Sequence, residues 1–238
     1  MIENVAIIIP SFNEKDNIAI LIRKLIKILP RAFIFVVDDN SPDKTGEIVQ
    51  EFARTNRRIK LLKRNGKGGR GGAVLAGFKE AFKNSEIQSF IEMDADLSHS
   101  PEEIKSLTKS IKENTIIIGS RYIKGSKVLN WPLYRRVLSK FANFYIKLIL
   151  GIKVNDFTNG FRCYPRASIR VLTKTNLSNK GFIALSEMAY ILHLKGFKFL
   201  EVPITFKDRE SGKSNATVTE VLKSLIAVIK IRERHANT

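Results

Sequence analysis

The chain has 238 residues, 44% hydrophobic and 27% charged, the balance of a globular protein with a full core and of no fibrous or disordered class. A lone cysteine, Cys163, excludes an intrachain disulfide, fits a reducing compartment and reads as a buried structural thiol. With 41 Lys and Arg against 23 Asp and Glu the net charge is +18, which favours an anionic partner: nucleic acid, a phosphorylated substrate or an anionic membrane surface.

Residues 5–9 form an apolar, β-branched run that predicts a buried parallel strand ended by Pro10. No basic segment or small-residue cleavage site precedes it, so no signal peptide is expected. Ile18, Leu21, Ile22, Leu25, Ile26 and Leu29 have helical spacing and predict a helix over 15–29. A second strand over 33–37 stops at Asp38-Asp39-Asn40-Ser41-Pro42-Asp43, followed by a helix over 44–55 and a strand over 59–62. A glycine-rich segment, 65–72, feeds a helix over 73–83. A fourth strand covers 90–93, a helix runs from Pro101 to about 112, and a fifth strand covers 116–119. This alternation predicts an α/β protein: an open, mostly parallel twisted sheet with helices on both faces and polar clusters at the carboxyl ends of the strands, where ligands bind.

The pattern changes after 120. A long amphipathic helix is expected over 134–150, helices over 166–174 and 185–195, a strand over 199–206, a polar loop over 207–214 and a last amphipathic helix over about 217–232. No clean boundary is visible, so 1–238 reads as a single domain. No apolar stretch approaches the ~20 residues that span a bilayer.

The most informative motif is Asp94-Ala95-Asp96 after the fourth strand. On a strand, i and i+2 share a face, so Asp94 and Asp96 would point together at one divalent cation, Mg²⁺ or Mn²⁺, shared with a nucleotide. The alternative is a solvated turn. At 38–39 one carboxylate suits a base or ribose while Ser41 or Asp43 caps the next helix. The glycine-rich segment has neither P-loop nor dinucleotide order, but Lys67 and Arg70 near a helix N-terminus favour an anion. His99, His193 and His235 lack metal-ligand spacing and read as structural or exposed. Trp131 beside Pro132 is either a membrane-interface anchor or core filler.

Four strings in order carry a resemblance: Ile-Ile-Pro-Ser-Phe-Asn-Glu (8–14), Val-Asp-Asp-Asn-Ser-Pro-Asp-Lys-Thr (37–45), Lys-Gly-Gly-Arg-Gly-Gly-Ala (67–73) and Met-Asp-Ala-Asp-Leu-Ser-His-Ser-Pro (93–101). They resemble the inverting family-2 glycosyltransferases of the GT-A fold. Gly-Ser-Arg-Tyr (119–122), Asn-Trp-Pro-Leu-Tyr-Arg-Arg (130–136), Asp-Phe-Thr-Asn-Gly-Phe-Arg (156–162) and the segment 202–214 resemble the dolichol-phosphate mannose synthase branch. The resemblance implies transfer of mannose from GDP-mannose to a polyprenyl (dolichyl) phosphate at the cytoplasmic membrane face, by a peripheral protein, with 1–120 as the nucleotide-sugar half and 121–238 as the acceptor half.

It also implies roles. Pro10, Phe12, Glu14, Val37 and Asp39 match the nucleotide pocket. Asp94 and Asp96 match the metal pair, with Ala95 against the nucleotide. Arg121, Arg135 and Ser139 match the acceptor-phosphate site, and Lys180 and Arg209 the donor diphosphate contacts. The chain departs from the branch at Ser98, where a metal-binding Gln is usual, at Asn215, where a Lys is usual, and at Ala184-Leu185, where Phe-Gln is usual. The alternatives are a polyprenyl-phosphate glucosyltransferase using UDP-glucose, a catalytically weakened binding module of the same fold and, from the pI of about 10.1, a nucleic-acid-binding protein. No recognition-helix motif or zinc spacing supports the last of these, so no nucleic-acid partner is expected.

Overall fold

A computed structural model describes residues 4–66, 68–179, 181–208 and 218–236, with backbone alone for 218–224 and 236. The strands are β1 (Val5–Ser11), β2 (Phe33–Asp38), β3 (Ile59–Lys63), β4 (Ser89–Glu92), β5 (Thr115–Ser120), β6 (Lys127–Leu129), β7 (Arg162–Pro165), β8 (Lys198–Pro203) and β9 (Thr205–Lys207). The helices are α1 (Lys15–Ile28), α2 (Thr45–Thr55), α3 (Arg70–Phe82), α4 (Ile104–Lys109), α5 (Leu133–Leu150), α6 (Arg166–Thr173), α7 (Ala184–Leu194) and α8 (Val218–Ala236).

Seven strands form one sheet in the order β3-β2-β1-β4-β7-β5-β8, while β6 and β9 pair in a small second sheet. Strands β1 to β4 are mutually parallel and β5 is parallel to β8; β7 runs antiparallel to both its neighbours. The chain moves outward from β1 to β3 and then returns to the far side of β1 as β4. The order therefore reverses between β1 and β4, the place where open α/β sheets receive ligands.

Alternation along each strand builds two cores. Val5, Ile7 and Ile9 face a layer containing Ile18, Leu21 and Leu25 of α1, Val49 of α2 and Ile104 and Leu107 of α4. Ala6 and Ile8 face Val74 and Phe78 of α3 and buried residues of α5 to α8. Both sheet faces are covered, so the strands read as continuous apolar runs.

Several boundaries differ from the sequence expectation. Pro10 does not end β1; it pairs opposite Val37. Carbonyls of alternate residues such as Asn4 and Ile8 face the β4 side, so the missing Pro10 N–H falls where β4 has already ended. Helix α3 starts at Arg70, inside the glycine-rich segment. The segment from Pro101 opens with one 3-10 turn and its helix stops at Lys109. The single strand expected over 199–206 divides at Ile204 between the two sheets. β7 was not foreseen, because a four-residue run starting with Arg and ending with Pro carries no alternation. It wedges between β4 and β5. On it, Cys163 is fully buried and burial pushes its thiol up to about 12.

Gly77 sets the distance between α3 and β1. A Cβ there would come within 2.4 Å of Ile8 Cγ2 and 3.0 Å of Val37 Cγ2, both on central strands that cannot retreat. Gly77→Ala gains about 1 kcal/mol of helix propensity but overpacks a rigid contact at about 1–3 kcal/mol. The expected net loss is about 0–2 kcal/mol, read in thermal unfolding as a Tm lower by up to about 8 °C; a higher Tm would show that the helix slides freely on the sheet.

Candidate active site

The loops after β1 and β2 are stitched to one another. Asp38 is buried and accepts from Ser11 Oγ at 3.3 Å and the Ser41 N–H at 3.0 Å. Asp43 accepts from the N–H of Thr45 and of Lys15, each at 3.0 Å, so one carboxylate serves the first turns of α1 and α2. Ser41 Oγ and Thr45 Oγ1 accept from the N–H of Asn13 and Glu14. Of the capping residues the sequence offered, Asp43 is thus the one that serves the helix starts.

Asp39 accepts from Arg64 Nη1 at 2.9 Å. Burial raises its carboxyl above the ordinary value, partly offset by Arg64 and by the N–H groups of Gly68 and Gly69. The Arg64 guanidinium lies across the glycine-rich segment: a Cβ on Gly68 would sit 1.7 Å from Nη2, and one on Gly72 3.0 Å away. Those glycines make room for an arginine. A cleft of about 330 Å³ opens beside it, lined in part by Leu75, Asn176 and Asn179. Phe12 is exposed, with Pro10 and Glu14 half-buried nearby in sequence. Val37 and Ala95 are buried in the two cores.

Asp94 and Asp96 do not share a strand face, because β4 ends at Glu92 and both lie in the following loop, where Leu97 adopts φ 60°. Other groups fix the loop. Arg70 donates from Nε (2.9 Å) and Nη2 (2.6 Å) to Asp94 Oδ1, and from Nη1 to Glu92. Glu92 is fully buried and its second oxygen accepts from Tyr164 Oη at 3.1 Å. Arg70 was expected near an anion at the helix N-terminus; the anions it meets are these two carboxylates. The Asp94 N–H donates to His99 Nδ1 at 3.4 Å, so the ring proton sits on Nε2 and is given to Asn159 Oδ1 at 2.7 Å. His99 is therefore a buried support of the acidic loop, stacked on Phe161. The Ser98 N–H donates to Asp96 Oδ1 at 3.1 Å, while Ser98 Oγ is buried with no hydrogen-bond partner among the described residues.

Arg121 is buried and donates to Asp156 from its main-chain N–H (2.9 Å), Nε (2.8 Å) and Nη2 (2.7 Å), and from Nη2 to Thr158 at 2.7 Å. Burial opposes its charge, but Asp156 chiefly, and Asp94 further off, keep it charged. Arg135 pairs with Asp208 at 3.0 Å. Both guanidinium groups cover the Trp131 ring, at 5.2 Å and 4.6 Å from its centroid. Ser139 Oγ accepts from Tyr122 Oη at 2.6 Å. The expected acceptor residues Arg121, Arg135 and Ser139 thus gather around Trp131 and Tyr122, and Trp131 is a shared platform packed on Phe206. Lys67, Lys180, Arg209, Lys213 and Asn215 lie outside the described residues.

The structural reading of His99 holds, while sequence reasoning missed Arg64, Glu92 and Asp156 and misread Arg70. The signals available were a charged residue inside a glycine run, Arg70, and a carboxylate closing an apolar strand, Glu92.

Asp43 yields a pH test. Partial burial works against its charge, but the hydrogen bonds from Thr45 and Lys15 outweigh it and hold the carboxyl below its ordinary value. Its stabilisation is complete above about pH 3.9, the unfolded value, and is lost as pH falls through the lower folded value. Asp43→Ala is expected to cost about 1–2 kcal/mol at pH 7 and to flatten part of the acid limb of urea stability against pH; parallel curves for both proteins would contradict the capping role.

The description "Glycosyl transferase family 2" matches residues 6–173. The chain is 36% identical over 224 residues to a polyprenol monophosphomannose synthase of Mycolicibacterium smegmatis, spanning 93% of this chain and 84% of that protein. It is 33% identical to an undecaprenyl-phosphate mannosyltransferase of Micrococcus luteus, with 94% and 91% covered. It is 37% identical to a dolichol-phosphate mannosyltransferase of Pyrococcus furiosus, covering 95% of this chain and 64% of that one. The fold is similar to that of glucosyl-3-phosphoglycerate synthase from Mycobacterium tuberculosis, solved with Mn²⁺ and UDP-glucose, at TM-score 0.66 and 15% identity, with 98% and 79% covered; the architecture is the GT-A fold. With the family description covering most of its length and relatives of this identity along nearly all of it, the chain belongs to glycosyl transferase family 2.

Proposed function

We propose that this enzyme transfers mannose from GDP-mannose to a polyprenyl phosphate with inversion, at the cytoplasmic surface of a membrane. The observation that carries the reading is the convergence of Arg121 and Arg135 on Trp131, with Asp94 of the acidic loop close enough to act on the charge of Arg121. The names of the three mannosyltransferase relatives point the same way.

A phosphate monoester is already a nucleophile and needs no strong base; it needs positioning and charge neutralisation beside an anionic donor. In this reading Arg135 exchanges Asp208 for the acceptor phosphate, which its planar fork suits, while Arg121, pinned by Asp156, presents fixed positive charge. Ser139 and Tyr122 add hydroxyls. An acceptor phosphate oxygen forms a bond to the anomeric carbon as the bond from that carbon to the nucleotide diphosphate breaks, so the electron pair leaves with GDP. Asp39 and Arg64 frame the nucleoside side. Lys180 and Arg209 are assigned to the donor diphosphate.

Asp94 and Asp96 offer hard carboxylate oxygens, and among the described residues no group of three or more His, Cys, Asp or Glu could hold an ion alone. That donor set fits an ion completed by diphosphate oxygens and water, of the Mg²⁺ or Mn²⁺ type. When bound, such an ion would offset the charge developing on the leaving diphosphate. Among the described residues no helix is long and apolar enough to cross a membrane. Helix α5 nevertheless carries Leu133, Tyr134, Val137, Phe141, Phe144 and Leu148, each more than half exposed, and α8 adds Ile226 and Ile229. Lys140 is exposed on the same helix, which suits an anionic surface.

Thermal shifts with GDP-mannose, GDP, UDP-glucose and UDP, each with and without Mn²⁺, test the donor: the guanine ligands are expected to raise Tm by mass action, most with Mn²⁺. Asp96→Ala is expected to abolish turnover with the fold intact. Shifts confined to the uridine ligands would replace mannose from GDP-mannose with glucose from UDP-glucose. On vesicles, the protein is expected to co-sediment more with anionic than neutral lipid, less so at raised salt, and Phe141→Ser with Phe144→Ser should weaken both; equal negligible binding would remove the membrane from the reading.

A further inference from the structure

Asp94 lies beyond the end of β4, so the sheet does not fix its side chain. Arg70 does. Two of its N–H groups converge on the single oxygen Oδ1, which holds the carboxylate against rotation about its own axis. The third group is anchored on Glu92, a fully buried carboxylate that the transfer reaction does not use and that Tyr164 Oη holds from the other side. The guanidinium also fills the space at Gly160: a Cβ there would sit 1.8 Å from Nη2 and 2.6 Å from Cζ. Phe182 covers it at 5.8 Å. Burial opposes the charge of Arg70 and the two carboxylates outweigh it, so the group is a permanent cation.

We infer that Arg70, braced by Glu92 and Tyr164 and admitted by the absence of a side chain at Gly160, is the positioning residue that sets the pose of Asp94 for cation binding. The inference rests on the proposed cation role of Asp94 and Asp96. A ligating carboxylate whose orientation is held by a second residue is a common device, and losing that residue typically weakens metal affinity 10–100-fold. Arg70 also neutralises part of the negative charge of the loop, so the ion depends on the nucleotide diphosphate for the rest of its binding. A lysine cannot reproduce the arrangement, because a point charge cannot span Asp94 and Glu92 with a fixed fork.

The test is titration of the full chain with Mn²⁺, following the free-ion paramagnetic resonance signal, with saturating GDP and in parallel with saturating UDP. Arg70→Lys keeps the charge and removes the fork; Gly160→Ala keeps Arg70 and evicts it. Both are expected to weaken Mn²⁺ binding about 10–100-fold in protein that circular dichroism shows to be folded, with Arg70→Lys retaining more affinity than Arg70→Leu. Asp94→Asn marks full loss of the site. If both variants lower Tm but bind Mn²⁺ like the wild type, Arg70 is purely structural and the inference fails while the cation site stands. If they bind Mn²⁺ more tightly, Arg70 competes with the ion and the inference also fails. If the wild type binds no Mn²⁺ with either nucleotide, the cation reading falls and this inference falls with it.

Discussion

The site depends on one short segment, Asp156 to Arg162, and on the rule that a buried polar group must be answered. Asp156 answers Arg121, Asn159 answers His99 and the Gly119 carbonyl, and Gly160 leaves the space that Arg70 occupies. Arg162, fully buried, has no such carboxylate in its hydrogen bonds; it donates to the carbonyls of Phe157, Asn159 and Leu185. The acidic loop after β4 and the arginine cluster around Trp131 are therefore fastened to the same seven residues. Breaking one partner of these pairs would leave a charge in a dry interior, which is why such segments tolerate little change.

The early strands and helices were legible because each buries a continuous or periodic apolar run: residues 5–9 and 15–29 can hardly read otherwise. The order of the polar strings along the chain was legible too, since each follows a strand. What stayed hidden was long-range. Nothing near Gly68 or Gly160 in sequence says that an arginine from elsewhere fills the missing side chain's place. β7 was hidden because all four residues are buried on both sides of an antiparallel wedge. Asp94 and Asp96 were expected on one strand face, but a bend and not a pleat presents them.

The basic surplus of the chain takes a different meaning once its arginines are placed. Arg64, Arg70, Arg121 and Arg135 are engaged with carboxylates, and Arg58, Arg136, Arg162 and Arg166 cap carbonyls. These eight side chains, out of 41 Lys and Arg, thus work inside the fold, holding loops and strand ends in place.

Cys163 gives the fold a built-in reporter. It lies on the antiparallel strand between β4 and β5, in the middle of the sheet, with its thiol sealed and its pKa raised to about 12. A thiol in that state is unreactive toward alkylating reagents, because both access and thiolate are missing. Labelling of this single thiol therefore counts only the excursions in which β7 parts from its neighbours. The rate at which the native protein takes up a label measures the opening of the seam between β4 and β5, without any substitution having been made.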